Sequence, residues 1–192
     1  MSRLNLPQGQ ELNQLVALAS NRAAAAFGEI INLPVSVQLS NADLLDWQAV
    51  TQVVASEMLT WGPAVFLGFK HAPEAQAMHG DAVFLLPKGS DTALVEAIFQ
   101  QNPDLLSMED AHLNILLEIG NVLLNTCVGT ITNQLGIQVI YDTPQMVEPG
   151  AMRHVFDNQS GNSAPALWLR SVLGVGGLEV NAEIVLILIE EI

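Results

Sequence analysis

Residues 114–125 read NILLEIGNVLLN, and seven of the twelve are Leu, Ile or Val. The polar residues in this run are Asn114, Glu118, Asn121 and Asn125. With Asn114 at the origin and ~100° per residue, Glu118 falls near +40°, Asn121 near −20° and Asn125 near +20°. One narrow face of an otherwise apolar helix therefore carries all four. Such a stripe is either the solvated side of a core helix or a working surface, and periodicity alone does not choose. A solvated face ordinarily carries Lys, Arg and several Glu; this one carries three Asn and a single Glu. Asn is a poor helix former. Its carboxamide, however, both donates to and accepts from a positioned water.

The stripe belongs to one long predicted helix, MEDAHLNILLEIGNVLLNTCVGTITNQL, with Ser107 before it and Glu109 and Asp110 suited to its first turn. Upstream, QELNQLVALASNRAAAAFGEII (10–31) is a second helix, ended by Pro34. VSVQLS (35–40) alternates like a strand. NADLLDWQAVTQVVASEM, with Asn or Asp as caps, reads as helix or partly helical. AVFLGFK (64–70) and DAVFLLP (81–87) are strand-like around a loop at 71–80, and SDTALVEAIF (90–99) is a short helix. After Gly136, IQVIYD (137–142) is a strand and 143–165 is loop-rich. ALWLRSVLG and LEVNAEIVLILIEE flank VGG as a hairpin. The last of these strands is so apolar that it fits either the centre of one sheet or a pairing across a dimer, so monomer and homodimer both stay open.

Helix followed by three strands thus occurs twice, which predicts an internal duplication within a single domain spanning 1–192, with repeats at approximately 10–100 and 107–192. QLVALASN (14–21) aligns with NILLEIGN (114–121) at a constant offset: Gln14 matches Asn114 and Asn21 matches Asn121, while Leu18 stands at the Glu118 position.

Composition narrows the function. The net charge is −14, from six Lys or Arg against twenty Asp or Glu. The basic residues are scattered, so there is no patch for nucleic-acid phosphates or an anionic membrane. Residues 119–141 lack charge and are long enough to span a bilayer, but their five Asn and Gln residues favour a helix running into a buried strand. The start, MSRLNLPQGQELNQ, has no apolar run of signal-peptide type. A cytoplasmic, non-membrane protein is expected. The single cysteine, Cys127, lies in an apolar pattern and reads as a small buried hydrophobe. His71, His79, His112 and His154 are too dispersed for a metal site, and GVGG lacks the spacing of a phosphate loop.

Glu-x-x-Asn on a long helix, with a degenerate copy on an earlier one, resembles the CheC/CheX/FliY family of chemotaxis phosphatases. The family signature is [Asp/Ser]-x-x-x-Glu-x-x-Asn; here it reads Asn114-x-x-x-Glu118-x-x-Asn121 and departs at the first position. The resemblance implies an α+β fold, a CheC-like two-layer sandwich. An antiparallel sheet would carry the two motif helices side by side on one face, in a pseudo-twofold duplication. It implies hydrolysis of the aspartyl phosphate of a CheY-like response regulator in chemotaxis or two-component signalling. Asn121 would orient the water and Glu118 would pair with a lysine of the partner, with Asn114 as an accessory position. Gln14, Leu18 and Asn21 would form a degenerate first site, leaving one working site, and Asn125 would be only surface. No cofactor of its own is implied; Mg2+ would be carried by the regulator. The alternative is a non-catalytic interaction protein on the same fold, binding a regulator, CheD or flagellar switch components. An unrelated α/β ligand-binding domain is the third reading.

Overall fold

Gly176 and Gly177 both have positive φ (57° and 92°) and make a two-residue hairpin turn. In the computed structural model, which describes residues 7–72, 78–101, 103, 111–157 and 166–190, this turn joins the longest strands of the second half. The elements are α1 (Gln10–Ile31), β1 (Val35–Leu45), α2 (Trp47–Glu57), β2 (Ala64–His71), β3 (Met78–Leu85) and α3 (Ser90–Gln101). They continue with α4 (Ala111–Gln134), β4 (Val139–Tyr141), β5 (Gln145–Val147), α5 (Met152–Asp157), β6 (Ala166–Val175) and β7 (Leu178–Glu190).

The seven strands form one sheet in the order β1-β6-β7-β3-β2-β4, with β5 also on β2, and every pairing is antiparallel. Exchanging β1, β2, β3 for β4, β6, β7 gives the same order read backwards, which is the pseudo-twofold arrangement. Strand β7 is central. Its Ile184, Leu186 and Leu188 enter the core on one face of the sheet, and Val185, Ile187 and Ile189 the core on the other. A strand buried on both faces has no reason to alternate, which is why its run is uniformly apolar.

Helices α1 and α4 pack side by side on one face, burying Val16, Ala19, Ala23 and Phe27 of α1 with Leu116, Ile119, Leu123 and Leu124 of α4 over Val65, Leu67 and Phe69. Helix α3 adds Leu94, Val95 and Ile98 to this core. Helix α1 stops where Asn32 turns left-handed (φ 52°), two residues before Pro34. The expected two-layer α+β sandwich is therefore present, with an addition. The opposite face carries a second core built on Trp168, against which Trp61 and Phe156 pack at ring-centroid distances of 6.0 and 6.3 Å. Val50 and Val54 of α2 and Met152 of α5 complete it.

Several sequence boundaries need correction. Residues 41–45 extend β1 rather than open a helix, and Asp46 is the true N-cap, its side chain accepting from the Ala49 N–H at 2.8 Å. The sequence signal breaks at a bulge. Leu39 pairs with Ser171 and Asn41 with Arg170, so Ser40 is extra. The bulge flips the parity, and Ala42 takes over the core-facing role of Val35, Val37 and Leu39. The 71–80 loop is shorter than expected, because His71 ends β2 and Met78–Gly80 begin β3; residues 73–77 lie outside the described residues. The loop-rich 143–165 segment contains β5 and α5. The expected first-turn residues Glu109 and Asp110 also lie outside the described residues.

Candidate functional site

Helix α4 is seated on the sheet through a glycine. Gly120 lies over Val65 of β2, where an added Cβ would come within 2.7 Å of Val65 Cγ1 and nearer still to its Cβ and Cγ2. Only a residue without a side chain lets the helix approach this closely. On either side of it, Ile119 is buried and Asn121 is half-buried. Burial of Leu116, Ile119, Leu123 and Leu124 fixes the rotation of α4 about its own axis. The orientation of the polar stripe follows from that rotation.

The stripe is not evenly wet. Asn114 and Glu118 are exposed, whereas Asn121 and Asn125 are half-buried. It therefore descends from solvent into the protein along α4. At its lower end, the Asn125 side-chain Nδ2 donates to Asn121 Oδ1 at 2.6 Å. Tyr141 of β4 donates its hydroxyl to the Asn125 backbone carbonyl at 3.1 Å. Gly129, one turn further on, leaves room for that hydroxyl: a Cβ there would lie 2.9 Å from it. Burial raises the pKa of Tyr141, which keeps the phenol neutral and able to donate.

The expectation that Asn125 is only surface is thereby corrected. It is a half-buried residue bonded to the last residue of the motif. The signal was present as two Asn four residues apart, a spacing at which helix side chains meet. Tyr141 had no such signal, being sixteen residues away on another element.

The degenerate first copy is a separate place. Gln14, Leu18 and Asn21 are exposed on α1. Gln14 and Leu18 line an open groove of about 710 Å3 with Gln8, Glu11 and, at and just beyond the far end of α4, Gln134 and Leu135. Gln134 is thirteen residues beyond Asn121, about 20 Å along the helix axis at 1.5 Å per residue. Gln14 and Leu18 are thus not brought together with the Glu118–Asn121 pair.

No protein-family model matches the sequence, and no curated protein does. Solved structures do match. FliY from Thermotoga maritima superposes with a TM-score of 0.62 at 14% identity, covering 94% of this chain and 91% of its own. A chain of the CheX–CheY–BeF3–Mg2+ complex from Borrelia burgdorferi gives 0.53 at 14% identity, covering 91% and 98%. A chain of the FliG–FliM complex from H. pylori gives 0.56 at 13% identity, covering 93% and 93%. The chain has the FliY and CheX fold.

Among the described residues of this FliY/CheX fold, α4 is the one helix long and apolar enough to cross a membrane, yet it packs against α1 and the sheet as core. Cys127, on its buried side, is 1% exposed, and burial pushes its thiol up to about 12, so it packs as a hydrophobe. Among the described residues, no group of three or more His, Cys, Asp or Glu is placed to hold a metal ion. Arg170 lies across the sheet from α4, engaged by Asp43, Glu57 and Glu183 at 3.3–3.7 Å and stacked over Trp168. It ties α2 and β1 to the second core rather than serving the stripe. Chemically, the stripe offers one exposed carboxylate and, a turn away, a carboxamide whose orientation is fixed.

Proposed function

We propose that this protein is a one-site phosphatase for the aspartyl phosphate of a CheY-like response regulator in cytoplasmic chemotaxis or two-component signalling. The observation that carries this reading is the pairing of an exposed Glu118 with an anchored Asn121 on one line of a rigidly seated helix. Acyl-phosphate hydrolysis needs an in-line water and neutralised phosphoryl oxygens more than covalent help. Water attacks phosphorus, the bond from phosphorus to the aspartyl oxygen breaks, and the carboxylate leaves as inorganic phosphate forms. Asn121 retains two N–H donors and one free lone pair on Oδ1, enough to hold that water at a fixed angle. Glu118 forms an ion pair with a lysine of the regulator and sets the docking register. The regulator contributes Mg2+. Asn114 is an accessory position at the exposed end of the stripe. The chain works as one domain whose repeats run approximately 10–100 and 107–192, with the first copy silent because Leu18 replaces the carboxylate.

The test is loss of phosphate from the organism's own regulators, each loaded with acetyl phosphate in Mg2+ buffer. Wild type accelerates the loss from one of them, and Asn121→Ala, folded as judged by circular dichroism, reduces it to the spontaneous rate. Wild-type activity in Asn121→Ala would refute the reading.

A second reading is a non-catalytic interaction protein for a regulator, CheD or switch components. Supporting it are the FliG–FliM neighbour at a TM-score of 0.56 and the departures at Asn114 and Leu18. It expects binding to the phosphorylated regulator with no change in phosphate lifetime.

A further inference from the structure

We propose that Asn125 is a positioning residue that decides which end of the Asn121 carboxamide faces the partner; this rests on reading Asn121 as the group that orients water. An unrestrained Asn turns broadly about its terminal torsion and presents nitrogen or oxygen almost equally. Here the Asn125 Nδ2 takes one lone pair of Asn121 Oδ1 at 2.6 Å. The oxygen of Asn121 is thereby held toward residue 125, and its NH2 is directed away along the stripe toward Glu118 and solvent. A reversed amide would present its oxygen to the water where the NH2 donors now stand, and so turn the water's lone pair away.

The helix backbone at Asn125 is itself held. Tyr141 binds the carbonyl there from the edge strand β4, and Gly129 keeps the space for that hydroxyl open. The Asn125 Oδ1 is buried and has no hydrogen-bond partner among the described residues. An orphaned buried acceptor is destabilising, and a leucine at this half-buried position would avoid that cost. The amide at 125 thus works against stability, and among the described residues its one hydrogen bond is to Asn121. The contacts run from Tyr141 on the sheet edge, through Asn125, to the motif amide.

Three variants separate this role from a structural one. Asn125→Leu removes the orphan and is expected to be at least as stable as wild type, while kcat falls about 10–100-fold with KM within twofold. Asn125→Asp offers only acceptors, turns the Asn121 NH2 inward and lowers kcat at least as far. In an Asn121→Ala background, Asn125→Leu has no further effect. The substrate is the acetyl-phosphate-loaded regulator on which wild type acts fastest. The Asn121 side-chain NH2 resonances in a 15N spectrum give a readout independent of turnover, displaced from the positions of a free asparagine in wild type and moving toward them in Asn125→Leu. If Asn121→Ala abolishes turnover while Asn125→Leu keeps wild-type kcat, the positioning role is overturned and the Asn121 reading stands. If Asn121→Ala stays active, that reading fails instead, and the NH2 resonances alone decide whether Asn125 orients the amide: unchanged resonances in Asn125→Leu overturn it.

Discussion

Gly120 and Val65 are in such close apposition that the helix carrying the polar stripe rests on the sheet with no side chain between them at that point. The atoms that would be struck by a Cβ belong to a β-branched side chain on a strand, not to the tip of a flexible one. Gly120→Ala should therefore destabilise the protein by about 1–3 kcal/mol despite its better helix propensity. Val65→Ala in the same chain should recover most of that loss. Urea denaturation of the two single variants and the double variant checks this as a cycle. Additive losses would mean that the two residues do not share the space described here.

Glu118 is exposed, so its replacement should leave folding untouched. Its role in docking should show as a KM effect. Glu118→Gln is expected to raise KM for the phosphorylated regulator about tenfold, with kcat changed much less, as for a charged contact at an interface rim. The wild-type KM should also rise with salt, and the variant's far less. An equal fall in kcat with unchanged KM would assign the carboxylate to the chemical step instead.

How much of this was legible in the sequence depends on which physical signal each residue leaves. Helices α1 and α4 are long and periodic, so their faces could be read, and with them the alignment of Asn21 with Asn121. Ser40 hid the second half of β1, because one bulged residue moves the core positions from odd to even numbers. Helix α5 is six residues long, and Met152 and Phe156 are too few to announce a period. The second core beneath it went unseen for the same reason. At the candidate site, angle alone places Glu118 and Asn121 on one face, and the resemblance of Glu-x-x-Asn to the family signature singles them out. The role of Asn125 follows from neither, since an amide's partner depends on rotamer and burial, and Tyr141 reaches it from another element.

The first copy of the motif tests the reading of one working site. Asn21 is exposed on α1 and lacks a carboxylate at the preceding turn, where Leu18 stands 36% exposed. Asn21→Ala is expected to leave turnover within twofold of wild type and stability within about 0.5 kcal/mol, as for a surface change away from any cap or buried contact. A large loss of phosphatase activity would show that both copies act.

Asp81 gives the fold a pH dependence. It lies on β3 opposite Gly68 and Ile187, on the sheet face shared with Val83 and Leu85. Burial raises its pKa to about 6; His79 opposes that shift and Asp142, whose N–H bonds the Gly68 carbonyl, adds to it. The folded state therefore holds a proton that the unfolded chain has already released between its ordinary value of 3.8 and about 6. In that window the native form binds more protons, so Asp81's contribution to stability falls as pH rises, then stays flat above about 6. Asp81→Asn removes the charge at every pH. Its stability relative to wild type should improve by about 2–3 kcal/mol between pH 3.5 and pH 7.5. Urea midpoints of both proteins across that range measure the change, and a difference independent of pH would show that Asp81 does not hold its proton in the fold.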